Sequence, residues 1–142
     1  MKKRSALLAI VFLLLALGSV SAQVKKNLIK TSLVRPLGEV FEISYERVTN
    51  DDLSFQVSGF FGGDMLGIMP ELRYYLNENK IAPNGPFIAP FLFLGDRIGG
   101  GGVMVGIQQL FKDKISLEAS LGPFITSDGV AVMGGLNLGF AF

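Results

Sequence analysis

Cysteine, histidine and tryptophan are all absent from this 142-residue chain. Without cysteine there is no disulfide scaffold, no thiolate metal site, no thiol nucleophile and no lipoprotein anchor cysteine. Without histidine, neither a Ser–His–acid triad nor an imidazole metal site can be built. Charge is scarce too, at 18% of residues. Three of the thirteen basic residues are Lys2, Lys3 and Arg4, which leaves ten basic against twelve acidic side chains. That is not the basic patch that nucleic-acid binding requires. After Ala22 the longest uncharged stretches are Ile81–Gly95, Ile98–Phe111 and Gly129–Phe142. Each is interrupted by Gly or Pro and is shorter than the roughly 18 residues of a membrane-spanning helix.

The remainder is apolar and rich in glycine: 49% hydrophobic residues and 18 Gly. The start, MKKRSALLAIVFLLLALGSVSAQ, has a basic front, an apolar run from Ala6 to Gly18 and the small triplet Val20-Ser21-Ala22 before Gln23. This is the pattern of a cleaved Sec-type signal peptide, residues 1–22, rather than of a membrane anchor, for which the run is too short. The exported chain is then residues 23–142.

Beyond Gln23 the hydrophobic period is two, not 3.6. Eight strands of about ten residues are expected: Lys26–Arg35, Glu39–Val48, Leu53–Phe61, Ile68–Leu76, Pro86–Gly95, Gly102–Phe111, Ile115–Phe124 and the tail from Gly134 to Phe142. Short turns such as TNDD (Thr49–Asp52) and KDK (Lys112–Lys114) separate them. The fold class is therefore all-β: an eight-stranded antiparallel up-and-down barrel forming one domain. Such a barrel is either soluble, with an apolar inside, or a transmembrane barrel with the faces reversed.

The polar parity favours the transmembrane form. Glu42, Glu46, Glu71, Arg73 and Glu118 lie in mid-strand opposite large apolar residues, and Lys30 joins them on a parity that the pattern alone does not fix. Small residues share the charged face: Ser44, Ser54, Ser58, Gly106, Ser120, Gly122, Gly135 and Gly139. A narrow lumen needs small residues, and outward-apolar, inward-polar alternation on an even strand number is the outer-membrane pattern. The six charged residues are expected to pair inside the barrel, because an unpaired buried charge costs several kcal/mol. Two features resist. Pro90 interrupts the fifth strand and suggests a bulge, and that strand is apolar on both parities. With no Trp, an interfacial girdle has to come from Tyr45, Tyr74 and the phenylalanines.

The tail GGLNLGFAF places Leu136, Leu138, Phe140 and Phe142 on one parity. A terminal Phe preceded by alternate apolar residues resembles the C-terminal assembly signal of bacterial outer-membrane proteins, and the resemblance implies reading by the outer-membrane assembly machinery. Longer segments carry a wider resemblance: NLIKTSLVRPLGEVFEISYERVTNDDLSFQV, PELRYYL, APNGPFIAPFLFLG and SLEASLGPFI. They are similar to a family of small, uncharacterised outer-membrane β-barrel proteins of Bacteroidetes-type bacteria, with the overall build of OmpA/OmpX-type barrels. The resemblance implies location and fold, not an activity. No peptidoglycan-binding domain is expected after the barrel.

Chemistry is hard to find. The lipid A deacylases found on small barrels resemble a Ser/His/acid machine whose base this chain lacks. The fallback is a Ser–Lys arrangement of Lys30 with Ser32 or Ser44. RIGGGGVMVG fails the spacing of a nucleotide loop and is expected to be a glycine-rich turn. Asp51-Asp52 is an isolated acidic turn, too little for a Ca²⁺ site. No catalytic, cofactor or metal residues are assigned. The chain is expected to be a non-enzymatic, monomeric barrel of the bacterial outer membrane, with a structural or surface-interaction role and with lipid as its solvent. The alternatives are a soluble periplasmic barrel binding a small apolar ligand along Phe87, Phe91 and Phe93, and a lipid-modifying enzyme.

Overall fold

The structure, a computed structural model, describes residues 27–76 and 81–142. The signal-peptide segment, the start of the first expected strand at Lys26 and residues 77–80 of the long connection lie outside the described residues. Eight antiparallel strands follow one another around a closed barrel. They are β1 (Asn27–Ser32), β2 (Phe41–Val48), β3 (Leu53–Gly62), β4 (Met65–Tyr75), β5 (Gly85–Gly95), β6 (Gly99–Phe111), β7 (Ile115–Thr126) and β8 (Gly129–Ala141). Each strand pairs with its neighbour in sequence, and β8 closes on β1, with Lys30 opposite Gly139. The seal reaches the last residue. Asn27 and Phe142 exchange backbone hydrogen bonds, N–H to O at 3.2 Å and 2.9 Å. Closure leaves no long free sheet edge, which is how a barrel avoids edge-to-edge association.

Several strand boundaries differ from the sequence expectation. β1 ends at Ser32, not Arg35, because the chain turns into a short 3-10 turn at Arg35–Gly38, with Pro36 in its first turn. Proline fixes its own φ and offers no N–H to a ladder, so the strand stops there. Gly99–Gly102 are strand residues of β6, not a glycine-rich turn. The connection before them is only Asp96–Ile98. β8 begins five residues before Gly134, at Gly129. No bulge occurs at Pro90. The β4–β5 ladder lapses opposite Pro70 and Pro90 and resumes in the same register, so the prolines cost hydrogen bonds without inserting a residue.

The two ends of the barrel differ. One carries Asn27, Phe142 and the turns at Thr49–Asp52 and Lys112–Lys114; the other, here the mouth, carries the Arg35–Gly38 turn and three short hairpin connections. The interior is filled. Leu28, Val48, Tyr75, Ala82, Phe87, Ala89 and Ala141 pack near the turn end. Phe60, Met69, Phe91, Phe93, Met104 and Phe124 pack towards the mouth. Glycines make room for these rings. A Cβ on Gly106 would sit 2.5 Å from Phe87 Cζ, and one on Gly102 would sit 2.9 Å from Phe91 Cζ. The doubly apolar β5 thus turns Phe87, Phe91 and Phe93 inward onto the small residues of its neighbour and Ile88, Leu92 and Leu94 outward.

Candidate functional site: the lumenal ion network and the mouth

Between the two apolar clusters lies a layer of polar side chains from every strand except β5, with its charges on β1, β2, β4 and β7. Lys30 on β1 points inward, which fixes its parity; it is 1% exposed. Its Nζ donates to Glu46 Oε2 at 2.7 Å, Glu118 Oε2 at 2.6 Å and Gln108 Oε1 at 2.9 Å. The stem lies across Gly139, where a Cβ would come within 2.4 Å of Lys30 Cγ. Arg73 on β4 grips Glu118 with both terminal nitrogens, at 2.6 Å and 3.0 Å, the fork-on-fork geometry of a guanidinium on a carboxylate. Its Nε donates to Glu71 Oε1 at 3.0 Å, and its guanidinium lies over the Phe87 ring, 4.6 Å from the centroid.

Neutral donors complete the acceptors. Tyr75 OH donates to Glu46 Oε1 at 2.7 Å, with Ser54 Oγ on the same oxygen. Gln56 donates to Glu71 at 2.9 Å and Asn137 to Glu118 at 3.3 Å. Counted as ions, three carboxylates (Glu46, Glu71, Glu118) face two cations (Lys30, Arg73). Removing such groups from water costs several kcal/mol per ion, and only dense pairing of this kind offsets it.

Five of the six lumenal residues named from sequence meet here: Lys30, Glu46, Glu71, Arg73 and Glu118. Glu42 is also buried, but it belongs to a second site nearer the mouth, and its cation is neither Lys30 nor Arg73. Arg35, from the loop after β1, pairs with it through Nε. The other Glu42 oxygen accepts from Ser44 Oγ at 3.1 Å. Sequence reasoning missed Arg35 because it looked like the end of a strand. It also left Gln56, Tyr75, Gln108 and Asn137 unassigned, although all four sit on the charged parity of their strands and could have been found by it.

The mouth has a notch. β8 runs seven residues further than β1 has partners for, since Ser32 already pairs with Asn137 and Leu33 N donates to Leu136 O at 2.8 Å. Arg35 spans this notch. One terminal nitrogen donates to Gly134 O at 3.2 Å, and the guanidinium rests on the Phe60 ring at 4.9 Å. Beneath it is a space of about 10 Å³, lined by Arg35, Glu42, Glu71, Arg73, Glu118 and Asn137 among others. That is room for about one water molecule. The Asn137 side-chain oxygen, on a residue 4% exposed, has no hydrogen-bond partner there.

The fallback Ser–Lys pair is not assembled. Lys30 Nζ is committed to Glu46, Glu118 and Gln108, Ser44 Oγ bonds Glu42 and Ser58, and Ser32 Oγ accepts from Arg35 N–H at 3.2 Å. At the Asp51-Asp52 turn, Asn50 Oδ1 accepts from Asp52 N–H at 3.0 Å. Among the described residues no group of three acidic side chains converges on a common metal position.

The outer wall inverts the lumen. The outward parity of the eight described strands carries a single charged residue, Arg47, and otherwise almost only apolar side chains. Ile43, Leu72, Leu92, Val105, Leu121 and Leu138 are each 42–59% exposed. Outward aromatics gather at the ends. Phe41 and Phe61 stack at 5.7 Å by the mouth, while Phe55, Tyr74, Phe111, Phe140 and Phe142 stand near the turn end. The C-terminal residues Leu136, Leu138, Phe140 and Phe142 all lie on this outward face. Compared with known proteins, this eight-stranded closed barrel matches no family model, no curated protein and no solved structure.

Proposed function

We propose that the chain is a signal-cleaved, monomeric outer-membrane β-barrel with a non-enzymatic, structural or surface-interaction role in the bacterial envelope. The observation that carries this reading is the inversion of polarity just described. A continuous apolar wall surrounds a lumen containing Lys30, Glu46, Glu71, Arg73 and Glu118. In water such a wall exposes far more contiguous apolar surface than a monomeric soluble protein carries. In lipid it is the outward band of a transmembrane barrel, and the end-clustered aromatics fit its interfacial girdles. Strands of 8–13 residues from β2 to β8 suit the roughly 9–11 that a tilted crossing needs.

The resemblance to small outer-membrane barrels, the leader at residues 1–22 and the Phe-terminated tail support the same location, with insertion by the outer-membrane assembly machinery. Phe87, Phe91 and Phe93, the residues a soluble ligand-binding barrel would need free, pack instead against Tyr75, Phe124 and Phe60, with ring centroids 5.4–5.8 Å apart. The filled lumen also argues against a pore, because eight strands enclose only enough space for side chains. With both termini in the periplasm, the turns Thr49–Asp52 and Lys112–Lys114 face the periplasm and the mouth faces outside.

Outer-membrane fractionation, with gels run before and after boiling, tests the reading. A sarkosyl-resistant band that changes mobility on boiling is expected. A freely soluble band with no shift overturns it. Cleavage at Lys112–Lys114 by protease added to intact cells overturns the orientation.

A further inference from the structure

We propose that the mouth contains a binding subsite for a guanidinium-type organic cation, which Arg35 of the chain's own first loop fills in the closed form. The inference does not depend on what solvent surrounds the wall. It rests on what Arg35 touches and on what surrounds it.

Three different groups converge on the Arg35 guanidinium: the Glu42 carboxylate, the Gly134 carbonyl and the face of the Phe60 ring. A carboxylate, a fixed carbonyl and an aromatic face together make a recognition set for a flat cation. None belongs to the loop that delivers Arg35. Glu42 is on β2, Phe60 on β3 and Gly134 on β8, so the wall would present these groups whether or not Arg35 were there. Glu42 is 3% exposed and is held from its other side by Ser44. The wall groups sit on strands, and the cation is the part that reaches in from a loop. Arg35 sits on a short loop, in a turn with no buried residue, and its side chain is 21% exposed.

A second observation points to a ligand. The Asn137 side-chain oxygen is buried without a donor, on a residue that lines the same small space as Arg35. A guanidinium carries five N–H donors in a plane. One free of the backbone has donors for Glu42, Gly134 and Asn137 together, whereas Arg35 leaves the third acceptor unsatisfied. The approach is electrostatically prepared as well. Each of the four mouth connections presents one exposed carboxylate: Glu39, Asp64, Asp96 and Asp128. Besides Arg35, the only cation in these connections is Arg97, which pairs loosely with Asp64 at 4.0 Å. An acidic rim raises the local concentration of cations at the mouth.

The test is calorimetric titration of the folded full chain with methylguanidinium chloride, with tetramethylammonium chloride as the control for charge alone. In Arg35→Ala the vacated subsite binds methylguanidinium saturably. The wild-type chain binds at least about tenfold more weakly, because Arg35 competes at high effective concentration. Adding Glu42→Gln to Arg35→Ala abolishes the binding. Arg35→Gln, which keeps the stem, carries the same titration if Arg35→Ala does not fold unaided. A variant that folds only when methylguanidinium is present also supports the subsite. The proposal is overturned by equal affinity in the wild type and the variants, by equal binding of tetramethylammonium, by affinity that survives Glu42→Gln, or by variants that methylguanidinium neither binds nor rescues.

Discussion

Lys30→Met removes one charge from the middle of the barrel while keeping the stem that lies over Gly139. The consequences can be followed atom by atom. Glu46 Oε2 loses a cation at 2.7 Å and Glu118 Oε2 loses one at 2.6 Å. Arg73 then faces three carboxylates alone. It still holds Glu118 at 2.6 Å and Glu71 at 2.9 Å, but Glu46 lies 3.7 Å away. Breaking a buried pair by deleting one partner costs about 3–5 kcal/mol, and that loss is expected here. Glu71→Gln should behave differently. It removes the surplus carboxylate, brings the layer to two cations against two carboxylates and preserves the shape, so its cost is about 1 kcal/mol. Combining Lys30→Met with Glu118→Gln should recover at least about 1 kcal/mol relative to additivity, because the two residues touch. Urea unfolding of the refolded barrel in micelles, followed by the gel mobility shift, measures the wild type, Lys30→Met, Glu71→Gln, Glu118→Gln and the double variant. A Lys30→Met chain as stable as the wild type, or a Glu71→Gln chain less stable than Lys30→Met, would refute this charge balance.

Three further outcomes follow from the wall and the turns. Gly122→Ala places a Cβ 2.0 Å from Val103 O and 2.7 Å from Met104 Cα, both backbone, so it should impair β6–β7 pairing and refolding yield. Gly135→Ala, whose nearest neighbour is Asn137 Oδ1 at 3.4 Å, should leave both unchanged. Lys112 and Asp113 both adopt left-handed φ, 50° and 55°. Asn-Gly, the favoured pair for such a turn, should stabilise the barrel by up to about 1 kcal/mol in the same unfolding assay. Leu138→Arg on the outer wall should cost about 2–4 kcal/mol in lipid vesicles if it sits near mid-bilayer; no cost there would count against the lipid-facing assignment.

Much of this architecture was written into the alternation of the sequence. Period two over eight stretches specifies strands, their number and the face each side chain takes, because successive side chains on a strand point to opposite sides. Glu46, Glu71, Arg73 and Glu118 were legible as a lumenal group for that reason alone. So was the outward set Leu136, Leu138, Phe140 and Phe142. Periodicity is a local property, however, and it fails where both parities look alike or where the chain leaves the strand. β5, apolar on both faces, could not declare its inner side; the glycines of β6 opposite Phe87 and Phe91, Gly106 and Gly102, decided it. The orientation of Lys30 was settled by its pairing opposite Ser44 and Gly139.

Partnership is the property that sequence spacing carries least. Lys30 and Glu118 stand 88 residues apart, and Arg35 reaches Gly134 across 99. Only closure of β8 onto β1 brings them within a hydrogen bond. The sequence by itself determined, for the strands that alternate cleanly, which side chains share a face, because successive side chains on a strand point to opposite sides. The closed barrel decided which of them meet, and it divided the buried charges into a sealed central layer and a separate Arg35–Glu42 pair at the mouth, because β1 stops short of the length of β8.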